Sequence, residues 1–240
     1  MTSQPCKKQT GFSLIEMMVA MLIGLFLMGG VISVYLSSSQ SSRVNDSLRT
    51  LQENGRFALA SLRNSIQMAG YIDNYDPSIL LDPFPGGAID FNQKVAISFE
   101  SDVDCTGAAT PVPAAPAARV ANNTLQLVGD ELRCVGNAGG TGITIIDGVD
   151  QMQILYGLDD DDDEIADRYV TATTVTATTN GWRDMVSSVR IALLLNSVND
   201  IKPISESKTY QLLDVTTAAF NDRKLRKVFT TTILIRNRMS

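Results

Sequence analysis

"KKQTGFSLIEMMVAML", residues 7–22, sets one acid, Glu16, four residues into an apolar run that begins just after two lysines and a glycine. From Phe12 to Leu36 the run is 25 residues long, with Glu16 as its sole ionisable group. At about 1.5 Å per residue this is enough helix to cross a hydrocarbon core of about 30 Å, so the sequence predicts one membrane span. Lys7 and Lys8 precede it with no nearby acid. The positive-inside bias then holds the N-terminus in the cytoplasm and sends the rest of the chain across. A secretory signal is shorter and carries its small-residue cleavage site after the apolar run, whereas Gly11 lies before it, so that cutting there would retain the span. Cys6 also precedes the run, which excludes a lipoprotein attachment site and leaves it a bystander.

Gly11, Phe12, Ser13, Leu14, Ile15 and Glu16, between a short basic leader and a long apolar helix, resemble the GF(S/T)LxE signature of type IV prepilins. The resemblance implies that a membrane prepilin peptidase cuts between Gly11 and Phe12, methylates the new N-terminus and discards residues 1–11. A carboxylate about 6 Å along the helix from Phe12 is costly in lipid unless a cation approaches it, and the freed amine of Phe12 is such a cation. Positions 12 and 16 share one helix face, so the pair can close within a chain or between neighbours. In the pilin family it is taken to run between subunits and to guide docking into a filament. An incidental polar residue near the membrane surface is the plainer alternative.

The 240 residues, 44% of them hydrophobic, suffice for one long helix and one globular domain with a genuine core. Loss of the leader's two lysines takes the formal charge from −6 to −8, which disfavours nonspecific attraction to nucleic acid or anionic lipid. Cys105 and Cys134 are then the remaining cysteines, an even number in an oxidising compartment, and a disulfide is expected, with two buried thiols as the alternative. Histidine is absent, which removes the commonest general base and transition-metal ligand. With no Gly-rich phosphate loop and no nucleophile elbow, the sequence points away from an enzyme.

Beyond the span, Leu48, Leu51, Gly55, Ala58, Leu62, Ile66 and Ala69 recur at spacings of three and four, so the helix is expected to continue to Ala69 and stop at Gly70. Gly24, Gly29 and Gly30 either unwind the span locally or allow close helix packing. The Pro-, Gly- and Asp-rich stretch 71–90 reads as a loop. Strands are expected at 94–100, 124–128, 131–135, 151–158, 186–196, 208–215 and 227–237, with a tight hairpin at Gly129–Asp130 and a Pro/Ala surface loop at 110–120. A long helix followed by short alternating strands gives an α+β, pilin-like plan, the helix packed on an antiparallel sheet. The organisation is a leader (1–11), a membrane or filament-core helix (12–36), the outer half of that helix (37–70) and a β-rich domain (71–240).

"LQENGRFALASLRNSIQMAGY" (51–71), "LYGLDDDDDEIADRYV" (155–170), "WRDMVSSVRIALLL" (182–195) and "RKVFTTTILIRNR" (226–238) resemble the PilW family of minor pilins. The resemblance implies a low-abundance subunit that joins other minor and major pilins on an inner-membrane assembly platform, in a complex priming pilus assembly and remaining near the tip. It implies a single-pass inner-membrane protein with a periplasmic domain, passing later to the pilus. A type II secretion pseudopilin shares the N-terminus and the general plan. A tip-displayed receptor or adhesin, for DNA or a surface, is the alternative from another class.

Residues 159–167, "DDDDDEIAD", are the densest charge cluster. Asp159, Asp161, Asp163 and Asp167, with the carbonyl of Ile165, fall in the order of an EF-hand-type calcium loop. Glu164 stands where such loops want glycine, and Val170 where an EF-hand supplies its last glutamate. Calcium and a merely solvated acidic face are both open readings; a zinc site is excluded by the all-oxygen donor set. Arg223, Lys224, Arg226 and Lys227 form a basic knot that suits a solvated hairpin or an acidic partner subunit better than DNA phosphates. Trp182 heads an expected strand and is assigned to core packing.

Overall fold

The computed structural model describes Gly11, residues 13–72, Phe84, and residues 93–111, 119–176 and 185–237. The leader with Cys6, Phe12 and Trp182 lie outside the described residues. The chain divides into two compact units, Met1–Asp46 and Ser47–Ser240.

Helix α1, Leu14–Gln67, passes through Gly24, Gly29 and Gly30 without a break, so their local cost of about 1 kcal/mol each does not open it. Ser13 stands at its N-cap, its carbonyl accepting the N–H groups of Glu16 (3.0 Å) and Met17 (3.2 Å). Glu16 thus falls in the first turn, where the helix dipole favours a carboxylate. In the first unit every large apolar side chain from Leu14 to Leu36 is exposed, from 50% for Ile32 to 82% for Phe26. Its best 18-residue window has a mean hydropathy of 2.4, which is long and apolar enough to cross a membrane.

In the second unit the helix ends two residues before Ala69, because the chain tightens into a turn in which the N–H of Ala69 bonds to the Ile66 carbonyl (3.0 Å). Gly70 takes the left-handed conformation (φ 77°) that turns the backbone away, and its N–H donates to the Ser98 carbonyl at 2.8 Å.

Two four-stranded antiparallel sheets follow, where the sequence suggested one. The first, in the order β1-β2-β3-β4, comprises Lys94–Glu100, Val120–Val128, Glu131–Val135 and Ile143–Asp147. Its β2–β3 hairpin turns at Gly129–Asp130 with Gly129 at φ 67°, as a type II′ turn needs. The second sheet has the order β12-β7-β5-β6, from β5 (Val149–Leu158), β6 (Arg168–Val170), β7 (Val186–Asn196) and β12 (Arg226–Leu234). A short helix α2, Ala172–Thr176, lies between β6 and β7 in sequence. The excursion from β7 to β12 folds into two small sheets, β8 (Glu206–Lys208) with β11 (Phe220–Asp222) and β9 (Gln211–Leu212) with β10 (Val215–Thr216). The single strand expected at 208–215 is therefore broken, and Leu213 at φ 51° makes the turn inside it.

One core joins helix and sheets. Leu51, Ala58, Leu62 and Ile66 of α1 cluster with Val95 and Ile97 of β1, Leu125 of β2, Met152 and Ile154 of β5, Val189, Ile191 and Leu193 of β7, and Ile233 of β12. Strand β7 shows little alternation because both its faces are covered. Val186, Val189, Ile191, Leu193 and Leu195 enter this core, while Ala192 and Leu194 pack with Leu212 of the excursion in a second cluster. Helix and sheet approach closely at Gly55, where a Cβ would lie 2.5 Å from the ring of Phe229. Arg63 Nη2 donates to Thr231 Oγ1 at 2.9 Å, and Asn237 Nδ2 donates to the carbonyls of Gln67 (3.1 Å) and Ala69 (3.3 Å), satisfying acceptors that a helix end leaves open.

Candidate cation loop and processing site

The acidic loop leaves β5 at Leu158 and returns in β6 at Arg168. It is closed at its base by two backbone bonds, Asp167 N–H to the Leu158 carbonyl (2.8 Å) and Asp159 N–H to the Met185 carbonyl (2.9 Å). It folds back on β5 at Gly157, where a Cβ would lie 2.6 Å from the Cβ of Ala166.

Asp159 is 2% exposed, and its carboxylate accepts the N–H groups of Asp163 (3.2 Å) and Glu164 (3.0 Å). Asp163 Oδ1 accepts the N–H of Ile165 (2.8 Å), and Asp167 Oδ2 that of Asp160 (2.8 Å). Arg168 grips Asp160 through Nε (2.7 Å) and Nη2 (3.0 Å), and this hydrogen bond holds the Asp160 carboxyl below its ordinary pKa.

Carboxylate oxygens of Asp159, Asp161 and Asp167 converge within 4.8 Å of one another. Asp163 is outside this trio, and Ile165 points an exposed side chain outward. The charges of Asp163 and then Asp167 raise the pKa of Asp161, the sign of a cluster whose negative charge is not fully compensated. Glu164, at the position where calcium loops favour glycine, adopts φ 68°, and Asp162 adopts φ 59°. The backbone thus makes the turn without the glycine, at a cost of about 1–2 kcal/mol per residue. Three hard oxygen donors on such a loop can hold a divalent cation.

Two features stood outside the sequence reading. Asp104, nearly buried, accepts the N–H and hydroxyl of Thr106 (2.9 and 2.6 Å) and the N–H groups of Ala138 (3.0 Å) and Ala108 (3.3 Å). Burial pushes its pKa up, but these bonds outweigh it and the net shift is downward. This knot fixes the loop carrying Cys105, which is disulfide-bonded to Cys134 with a Cα–Cα distance of 6.3 Å. The second is the fate of the basic knot. Arg226 is withdrawn from solvent, its guanidinium bonded to Asp150 and Asp222, while Arg223 faces Asp200 and Lys227 lies over the Phe229 ring. Only the wide sequence separation of Asp150 hid this network.

At the N-terminus Gly11 is exposed and Glu16 lies in the exposed first turn of α1; the other half of the expected cleavage pair, Phe12, lies outside the described residues. A family model described as the prokaryotic N-terminal methylation motif matches residues 6–32, and one described as type IV pilus-assembly protein W matches residues 118–237, half of the chain. The chain belongs to the PilW family of type IV pilus-assembly proteins. The PilW match takes in β2 to β12, and with them the acidic loop, Cys134 and the Arg226 network. Among solved structures, a type IV-like pilin from Thermus thermophilus is similar at 14% identity and a TM-score of 0.44, over 82% of this chain and 98% of that one. No curated protein matches.

Proposed function

We propose that this PilW-family chain is a non-catalytic minor pilin that takes part in type IV pilus assembly, in a priming or tip complex with other minor and major pilins. The observation that carries the reading is one uninterrupted helix whose first half exposes every large apolar side chain and whose second half enters a folded domain's core. Such a helix serves first as a membrane anchor and then as filament packing. The prepilin peptidase cuts between Gly11 and Phe12, and the amine of Phe12 meets Glu16 of a neighbouring subunit. Residues 12–36 lie in the inner membrane before assembly, residues 37–70 carry the domain, and residues 71–240 stand in the periplasm until the subunit passes to the pilus. Deleting the gene and scoring both surface pili and secreted enzymes tests this: loss of pili with secretion intact supports it, and the reverse outcome refutes it in favour of a pseudopilin.

The acidic loop binds calcium through Asp159, Asp161 and Asp167, the support being their convergence and the like-charge strain on Asp161. Extracellular sites of this kind work at about 0.1–1 mM, so the test is a melting curve in millimolar calcium with magnesium as control. At about ten times Kd, which millimolar calcium reaches for the tighter of such sites, binding adds about 1.4 kcal/mol to the folded state. Equal shifts with the two ions, or an undiminished calcium shift in Asp161→Ala, refute it.

A further inference from the structure

Among the edges of the two four-stranded sheets, the one along β12 is the least defended. The edge of β1 is closed by the turn after α1, through Gly70 N–H to the Ser98 carbonyl and Glu100 N–H to the Tyr71 carbonyl, both 2.8 Å. Strand β4 is interrupted by a register shift opposite Leu132 and Arg133, and β6 is three residues long. Strand β12 instead runs nine residues against β7 with no bulge and no proline. Its bonds to β7 fall on odd-numbered residues: at one end the Leu225 carbonyl accepts from the Ser197 N–H (2.8 Å), and at the other the Ile235 N–H donates to the Ser187 carbonyl (2.9 Å). An antiparallel ladder alternates, so the N–H and C=O groups of Val228, Thr230, Thr232 and Leu234 point the other way, into the open edge. Among the described residues none of these four makes a backbone hydrogen bond on that side, and the Leu234 side chain beside it is 59% exposed. Such a row of unpaired peptide groups on a regular edge is a template for another strand.

The charges around this edge select the strand it takes. Residues 223–240 carry six basic residues and no acid. Lys227 and Arg236 bracket the open stretch, Arg63 of α1 bonds to Thr231 on one face of β12 (2.9 Å), and Arg190 of β7 bonds to Thr232 on the other (3.2 Å). Among the described residues none of these four cations is in an ion pair. We infer that β12 accepts an extended, acidic segment of another pilin subunit as an added strand, hydrogen-bonded to Val228, Thr230, Thr232 and Leu234, with its carboxylates set among these cations. The same features oppose self-pairing. Antiparallel addition of β12 to β12 of a second copy would set like charges against one another. It would also run the two α1 stretches in opposite directions, because β12 follows α1 from Phe229 at Gly55 to Asn237 at Gln67, and chains anchored in one membrane share one direction. A different subunit standing beside this one meets neither obstacle. The edge extends alongside α1, so the pairing calls for no displacement of one subunit along the other. The contact is between unlike subunits, which suits a minor pilin. The inference rests on the proposed function in taking the occupant to be a pilin.

The test places benzoyl-phenylalanine at Leu234 of the full chain, in cells that carry the other pilins of its assembly system, and identifies the light-induced products by mass spectrometry of the linked peptides. Linkage is expected to one Asp- and Glu-bearing peptide of a second protein that itself has a prepilin signature. Thr230→Pro removes one outward N–H and no bond to β7, a change that an edge strand accommodates. It should lower the linked product several-fold while the melting curve of the detergent-solubilised chain stays close to the parent's. Thr230→Val alters the side chain and keeps the N–H, and should link as the parent does. Lys227→Glu/Arg236→Glu, which leaves the backbone alone, should also lower the yield several-fold. Full linkage in Thr230→Pro or in the charge-reversed chain, loss of linkage in Thr230→Val, a product made of two copies of this chain, links scattered over unrelated proteins, or no linkage would each overturn the inference. Loss of secretion and not of pili on deletion of the gene would refute the proposed function and leave such a link standing. Loss of pili on deletion, with Thr230→Pro linking as the parent does, would refute this inference alone.

Discussion

Replacing Arg226 with Met keeps an unbranched apolar stem of similar length over the Phe220 ring but deletes the guanidinium. In the parent chain that group is 4% exposed, donating through Nε to Asp150 (2.7 Å) and through Nη1 and Nη2 to the two oxygens of Asp222 (2.6 Å each). Removing one partner of a buried ion pair costs about 3–5 kcal/mol, because the charges left behind have lost their compensation. Here the abandoned carboxylates, Asp150 and Asp222, are 16% and 34% exposed, so water recovers part of it and the expected loss is about 3 kcal/mol. For a domain of this size that lowers Tm by about 6–12 °C. The hydrogen bond from Arg226 is also the chief reason that Asp222 has a pKa lowered from 3.8 to about 2. A folded-state pKa below the unfolded one adds stability that is fully present above pH 3.8 and is lost as pH falls toward 2. Discounted for solvent, this part is about 1–2 kcal/mol. Thermal melts of the detergent-solubilised full chain between pH 7 and pH 2 should therefore show a lower Tm for Arg226→Met and a shallower acid decline. A Tm within about 2 °C of the parent at pH 7, or an acid decline as steep as the parent's, would refute the reasoning.

Three further outcomes are expected. Gly157→Ala would set a Cβ 2.3 Å from the buried Ser188 hydroxyl of β7 and 2.6 Å from the Cβ of Ala166, so it should lower the calcium-free Tm by disturbing the β5–β7 pairing and also abolish the calcium-induced rise, read by melts with and without calcium. Reduction of Cys105–Cys134, or Cys105→Ser/Cys134→Ser, should lower stability by about 3–4 kcal/mol in the chain-entropy view of the 28-residue loop it closes, as measured by denaturant titration. Gly11→Leu should leave the precursor uncut, because a peptidase pocket built for no side chain excludes one, and mass spectrometry of the N-terminus reads it directly.

The span, the outer half of α1 and the strands at 94–100, 131–135 and 186–196 were legible because each rests on local periodicity or on an unbroken apolar run. The short elements β4, β6, α2 and β11 were not. Three- to five-residue strands show few alternations, and where no turn signal such as Gly129–Asp130 beside β3 marks them they do not stand out; the threonine-rich α2 has little intrinsic helix preference, so tertiary packing decides these elements. Within the excursion from β7 to β12, "KTYQLLDV" (208–215) reads as one strand because it alternates plausibly, and nothing local announces that Leu213 turns at positive φ. At the acidic loop, Asp159, Asp161 and Asp167, which the spacing groups with Asp163 and Ile165, bring their carboxylate oxygens within 4.8 Å of one another. The spacing did not foresee that Asp159 is buried and already occupied by backbone N–H groups, nor that Asp163 serves the turn itself by accepting the N–H of Ile165. The pairing of Asp150 with Arg226 across 76 positions belongs to sheet register, which single-sequence patterns do not encode.

The way β12 lies on α1 has a mechanical consequence. Phe229 meets Gly55, Thr231 meets Arg63 and Asn237 meets Gln67 and Ala69, so strand and helix run in the same direction with their contacts in series along both. Tension applied along α1 therefore loads these contacts in shear, all at once, and cannot peel them open one at a time. Within the second unit, the stretch of α1 from Gly55 onward is thus joined to the sheet by a seam that yields only at forces large enough to break its contacts together.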